Sequence, residues 1–154
     1  MEAELGNGTG QYWQAWDDNL GMNGQTWGMF TTDLADIDND GDLYLGSISF
    51  GCCDGIHIYR NNFNGTWNII YGFLDGNSQM HFVFGDVNCD GLAYFVVGHE
   101  YGTVYLGDGN GNFIIADGNL PPAGNLGREG VSIGDVNNDG CDDIAFVKSS
   151  GIHV

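Results

Sequence analysis

Three copies of one acidic, glycine-ended hexapeptide divide this chain at nearly equal intervals. They read Asp36-Ile37-Asp38-Asn39-Asp40-Gly41, Asp86-Val87-Asn88-Cys89-Asp90-Gly91 and Asp135-Val136-Asn137-Asn138-Asp139-Gly140. The leading aspartate recurs after 50 and then 49 residues. Oxygen-bearing side chains at the first, third and fifth positions suit a hard cation such as Ca²⁺, which takes about six to eight oxygens. Glycine at the sixth permits the backbone turn that a tight wrap demands. One hexapeptide is a polar turn; three at a single period imply a repeat architecture with metal loops.

The residues between the loops show what is repeated. A short β-forming run follows each loop: Leu43-Tyr44-Leu45, Ala93 to Val97 and Asp143 to Val147. A turn leads to a second alternating run: Gly55 to Tyr59, Gly102 to Leu106 and Gly151 to Val154. An Asn-Gly hairpin signal comes next at Asn64-Gly65 and Asn110-Gly111, and near the start at Asn7-Gly8. It opens a third run: Thr66 to Ile70, Asn112 to Ile115 and Gly10 to Trp13. A linker then reaches the strand before the next loop: Gly28 to Leu34, Met80 to Phe84 and Gly130 to Ile133. No helix-period segment competes. Each unit therefore predicts four antiparallel strands, one blade of an all-β propeller, with the acidic loop joining its first two strands.

We expect a single repeat domain over 1–154: an outer strand and linker at 1–25, blades at 26–75 and 76–125, and an incomplete third blade at 126–154. The segment Ala3 to Gly8 aligns with Val104 to Gly109 and resumes about where Val154 stops. The repeat is circularly permuted, so the N-terminal strand is expected to complete a C-terminal blade, in another chain. Three blades are too few to close a ring. This predicts self-assembly as a ring or filament by strand sharing, with an excerpt of a longer propeller as the alternative.

Composition sets the class of partner. The formal charge is −18 with three basic residues, Arg60, Arg128 and Lys148, so no cationic patch exists for nucleic acid or an anionic membrane surface. Three bound Ca²⁺ ions would bring the charge to about −12. A content of 42% apolar residues argues against disorder, and no apolar run approaches a membrane span. The N-terminus lacks the basic and apolar stretches of a secretory signal. Millimolar extracellular Ca²⁺ suits weak loops, and that points to an extracellular or cell-surface location.

At Phe84-Gly85-Asp86 and Ile133-Gly134-Asp135 the pattern of a Gly-Asp start, an acidic loop and an apolar strand resembles the FG-GAP or VCBS-type repeat of integrin-like propellers. The resemblance covers essentially the whole chain. It implies up to three Ca²⁺ sites. The strongest is expected at Asp135, Asn137, Asp139, the Cys141 carbonyl and Asp143, the only loop that keeps the family's carboxylate at position nine. The first site would comprise Asp36, Asp38, Asp40 and the Asp42 carbonyl; the second Asp86, Asn88, Asp90 and the Leu92 carbonyl. Tyr44 and Tyr94 stand at position nine of these two and supply no carboxylate. A turn held by its own hydrogen bonds without any ion is the competing reading.

Other residues add weaker signals. Trp16, Trp27 and Tyr101 fall in linkers and turns on the face opposite the metal loops. There they would stack on sugar rings, an arrangement that resembles integrin-like fungal lectins, or else pack between blades. Asn7-Gly8-Thr9 and Asn64-Gly65-Thr66 match the N-glycosylation sequon at Asn7 and Asn64. Cys89 and Cys141 occupy loop positions whose side chains do not ligate, and Cys52 and Cys53 lie in a turn on the other face. A vicinal bridge, free thiols and intermolecular pairing are all open for these four. His57 and His153 are equivalent strand residues and read as packing. No nucleophile stands beside a paired base, so no enzyme is expected.

Overall fold

A computed structural model describes residues 2–20, 29–49, 55–73, 81–97, 104–120, 126–148 and 151–153. Among them every regular element is a strand, and no helix is long and apolar enough to cross a membrane. The first unit is a four-stranded antiparallel sheet of β3 (Met29–Ala35), β4 (Tyr44–Ser49), β5 (Ile56–Asn61) and β6 (Trp67–Phe73), in that order. The second repeats it with β7 (Phe82–Gly85), β8 (Tyr94–Val97), β9 (Val104–Gly107) and β10 (Phe113–Ile115). The third has three strands, β11 (Leu126–Gly134), β12 (Asp143–Lys148) and β13 (Gly151–His153). The acidic loops join the first strand of each sheet to the second, as the repeat predicts. Pairing of Ala35 with Tyr44, Gly85 with Tyr94 and Gly134 with Asp143 puts each loop in the same register.

Among the described residues the sheets stack in chain order and form no closed ring. Ile48, Ile56 and Ile58 of the first sheet meet Phe82, Phe95, Val97 and Tyr105 of the second in one buried cluster. Val96 and Val104 of the second meet Val131 of the third, with Ile133 and Ile144 against them. Each such side chain removed from water is worth about 1.5–3 kcal/mol, so contacts between sheets, more than the hydrogen-bonded ladders, hold the row together. Two glycines allow the close approach. A Cβ on Gly46 would lie 2.1 Å from the Phe82 ring, and one on Gly85 would lie 2.1 Å from Ile133 Cδ1.

The N-terminal segment pairs with itself. β1 (Glu4–Gly6) and β2 (Trp13–Ala15) form a separate antiparallel hairpin. Its continuation packs Trp16 and Leu20 on Leu45, Tyr59 and Trp67, against the first sheet. A parallel bridge joins Asp18 to Thr66, and the Trp67 indole donates to the Trp16 carbonyl (2.6 Å). Among the described residues of this single chain, neither β1 nor β2 pairs with the third sheet. His57 is buried and stacks near Tyr59, as its strand position predicts.

Candidate metal centre

The three acidic loops share one conformation, built by their own carboxylates. The first aspartate accepts the amide of the sixth residue: Gly41 to Asp36 at 2.9 Å, Gly91 to Asp86 at 2.8 Å, Gly140 to Asp135 at 2.8 Å. The fifth accepts the amide of the seventh, each at 2.9 Å: Asp42 to Asp40, Leu92 to Asp90, Cys141 to Asp139. The fourth residue is left-handed in all three, with φ of 58° at Asn39, 60° at Cys89 and 61° at Asn138. The sixth is a glycine with φ between 85° and 93°. Asparagine tolerates the left-handed region and glycine enters it without penalty, so Asn39, Asn138 and the three glycines follow from the turn, whereas Cys89 adopts it without that preference.

The loops differ in which oxygens remain free of donors. In the first, Asp36, Asp38 and Asp40 each place a carboxylate oxygen within 4.8 Å of the others. Asp36 Oδ1 and Asp38 Oδ1 are buried and accept no hydrogen bond. A buried anionic oxygen without a donor is costly unless a cation meets it, so this loop fits Ca²⁺. In the second and third loops more oxygens are engaged internally. Asp86 Oδ1 accepts the Asp90 amide (3.2 Å) and Asp135 Oδ1 accepts the Asp139 amide (3.1 Å). The Asn88 and Asn137 amides donate to Asp90 and Asp139 (3.2 and 3.0 Å).

Position nine separates the loops again. The Tyr44 hydroxyl donates to Asp38 Oδ2 (2.9 Å), and the Tyr94 hydroxyl donates to Asp90 Oδ2. Tyrosine thus brings a proton donor where the third loop brings a carboxylate. Asp143 Oδ2 itself accepts the Val136 amide (3.0 Å). Burial, with the bond to Asp38 second, pushes the Tyr44 phenol up to about 12; burial likewise raises Tyr94. The Tyr94 hydroxyl holds Asp90 below the ordinary carboxylate value, and the Gly140 amide does so for Asp135. Burial and neighbouring Asp40 raise Asp42. Arg60 reaches Asp40 at 3.8 Å, an exposed pair of little energetic weight.

Successive loops are stitched together through the fourth residue. Asn39 of the first donates to the Gly91 carbonyl of the second (2.6 Å). Cys89 of the second reaches the third and forms a disulfide with Cys141, at a Cα–Cα separation of 4.9 Å. The Asp142 amide donates to the Asp86 carbonyl and the Asp86 amide to Asp142 Oδ2, both at 2.9 Å. The intramolecular Cys89–Cys141 bridge replaces the open alternatives for these two cysteines. The signal was present in the sequence, as cysteines at positions four and seven of consecutive loops, but its use needs the loops to lie side by side. Cys52 and Cys53 lie outside the described residues.

Of the ligand-binding candidates, Trp27 and Tyr101 also lie outside them. Trp16 does not lie on the face opposite the metal loops: it is half-buried beside the Asn64-Gly65 hairpin, its indole 3.5 Å from Asn61 Oδ1, and lines a cleft of about 400 Å³ between the N-terminal hairpin and the first sheet. Trp67, Leu5, Leu34 and Asp33 share that cleft. Asn7 and Asn64 are exposed, and each accepts from the threonine two residues on (Thr9 Oγ1 at 2.6 Å, Thr66 Oγ1 at 2.7 Å). The Asn110-Gly111 hairpin shares the loop face: a Cβ on Gly109 would lie 3.9 Å from Asp38 Cβ.

The family model of the FG-GAP-like repeat matches residues 36–97 and again 92–146, a combined span from Asp36 to Phe146 that covers well over half the chain. No curated protein and no solved structure gives a significant match.

Proposed function

Because the chain belongs to the FG-GAP-like repeat family, we infer that it is a calcium-stabilised, non-catalytic structural or adhesive module of the cell surface or extracellular space that associates with further copies of itself. The observation that carries the calcium reading is the pair of buried, donor-free oxygens on Asp36 and Asp38. Asp36, Asp38 and Asp40, with the Asp42 carbonyl, would hold one ion. Asp86, Asn88, Asp90 and the Leu92 carbonyl, and Asp135, Asn137, Asp139, the Cys141 carbonyl and Asp143, are the candidates for two more. Bound Ca²⁺ would neutralise carboxylates that otherwise repel and would brace the loop seam; the residues themselves already set the wrap through their amide bonds.

One open face supports self-association. Phe84 and Ile133 are equivalent residues of β7 and β11, each packed on the preceding sheet. Their counterpart Leu34 on β3 is 51% exposed but lines the cleft beside the N-terminal hairpin, whereas Val147 at the far end of the row is 42% exposed. A sheet from another copy would cover that far face in the way sheets one and two cover each other. Light scattering with Ca²⁺ and with chelator tests both parts. Oligomers that dissociate on chelation support the reading, and a monomer in both conditions defeats self-association.

The cleft beside Trp16 favours a second reading, a carbohydrate-binding module. Glycan-array binding lost in Trp16→Ala with the fold intact would support it, and no binding would remove it.

A further inference from the structure

The seam between the second and third loops holds a softer donor set than the oxygen cradles. The sulfurs of Cys89 and Cys141 and a carboxylate oxygen of Asp139 all lie within 4.8 Å of one another. We propose that reduction of the Cys89–Cys141 disulfide uncovers a two-thiolate, one-carboxylate site for a thiophilic divalent cation such as Zn²⁺. This inference does not rest on the calcium reading.

The site forms in two steps. A dithiol reductant transfers two electrons and two protons to the disulfide, leaving two cysteine thiols and its own cyclic disulfide. The cation then binds both sulfurs as thiolates and two protons leave to water. Asp139 supplies the third donor and water the fourth tetrahedral position.

Three observations make the reduced site preorganised. First, the loops stay joined without the S–S bond, because the Asp142 amide still donates to Asp86 and the Asp86 amide to Asp142 Oδ2 (both 2.9 Å). Two Zn–S bonds of about 2.3 Å would need the reduced sulfurs roughly 3.8 Å apart, from Cα atoms that stand 4.9 Å apart. Second, Asp139 is held in place by donors from both sides. The Cys141 amide donates to its Oδ1 (2.9 Å) and the Asn137 side chain to its Oδ2 (3.0 Å), and each oxygen keeps a free lone pair. Third, Cys89 and Asp139 are exposed and Cys141 half-buried, so reductant and cation both have access. The neighbouring seam has Asn39 and Leu92 at the corresponding positions and no thiol, so this donor set belongs to one junction only.

The test uses the full chain with Cys52→Ser and Cys53→Ser, reduced with a phosphine and titrated with Co²⁺, whose thiolate complexes absorb in the near ultraviolet. One Co²⁺ per chain, displaced by Zn²⁺ and absent from the oxidised protein, is expected. Adding Cys89→Ser should abolish the band. Asp139→Asn, folded by circular dichroism, should weaken Co²⁺ binding at least about tenfold, the lower end of what even an outer partner costs. No band in the reduced chain, a band that survives Cys89→Ser, or unaltered affinity in Asp139→Asn would overturn the site. Loss of the β-sheet signal on reduction would do the same, since the dithiol would then not be held together.

Discussion

Gly85 and Gly134 occupy the same place in the repeat, one residue before the leading aspartate, yet they should respond oppositely to an added methyl group. On Gly85 a Cβ would lie 2.1 Å from Ile133 Cδ1 and 2.6 Å from Asp142 Oδ2, where ordinary contact begins near 3.4 Å. Ile133 must retreat by more than an ångström from the core between sheets two and three. Asp142 must loosen its 2.9 Å bond from the Asp86 amide. Overpacking of this kind costs about 1–3 kcal/mol, and disturbing a hydrogen bond to a charged group adds about 1.5–3 kcal/mol. We therefore expect Gly85→Ala to lose about 3 kcal/mol or more, which for a chain of this size lowers Tm by roughly 6–12 °C. On Gly134 the same methyl meets nothing within 4 Å. Its conformation is not left-handed, so Gly134→Ala should be neutral or gain about 0.4–1 kcal/mol by restricting the unfolded chain. Thermal and urea unfolding of the two variants decide the matter. Equal effects at both positions would refute the packing argument. A large loss at Gly134 alone, growing with protein concentration, would show that another copy covers that face.

Asp36→Asn with Asp38→Asn should lower Tm in Ca²⁺ but scarcely in chelator, because the buried oxygens are donor-free without the ion; equal losses would remove the metal from loop one. The corresponding Asp135→Ala with Asp139→Ala pair tests loop three in the same way. Tyr94→Phe should lower Tm in chelator more than in Ca²⁺, since the hydroxyl supplies a proton to Asp90 that a cation would replace. The Tyr44 phenol has its folded value raised to about 12. Its contribution is therefore fully present below the unfolded value of about 10 and is lost as pH rises toward 12. Ultraviolet titration should show that Tyr44→Phe removes one late-ionising phenol, and an unchanged titration curve would contradict the burial and the Asp38 bond that together raise it.

Much of the fold is written in local chemistry. Asp at positions one and five with Gly at six is enough to dictate a loop in which carboxylates accept the loop's own amides, and the alternating runs around it dictate strands. The period near 50 residues then makes the units equivalent, so the register of one predicts the others. The N-terminal run is less legible. The repeat predicts its third-run strand from Gly10, but Thr9 to Gln11 are drawn into the turn by Asn7 and Thr9 (3.1 and 3.3 Å), and β2 starts at Trp13.

What the sequence alone could not decide is how equivalent positions come to differ. Tyr44, Tyr94 and Asp143 align, but only their surroundings make two of them donors and the third an acceptor. Cys89 and Cys141 are 52 residues apart in the chain. Their bond depends on the stacking of β7 on β11, which brings position four of one loop over position seven of the next. Gly85 and Gly134 share a motif, and packing crowds one and leaves the other open. Local patterns specify the loops and strands because those forces act within a few residues; the seam, the disulfide and the open faces arise from apolar surfaces that meet only when the sheets stack.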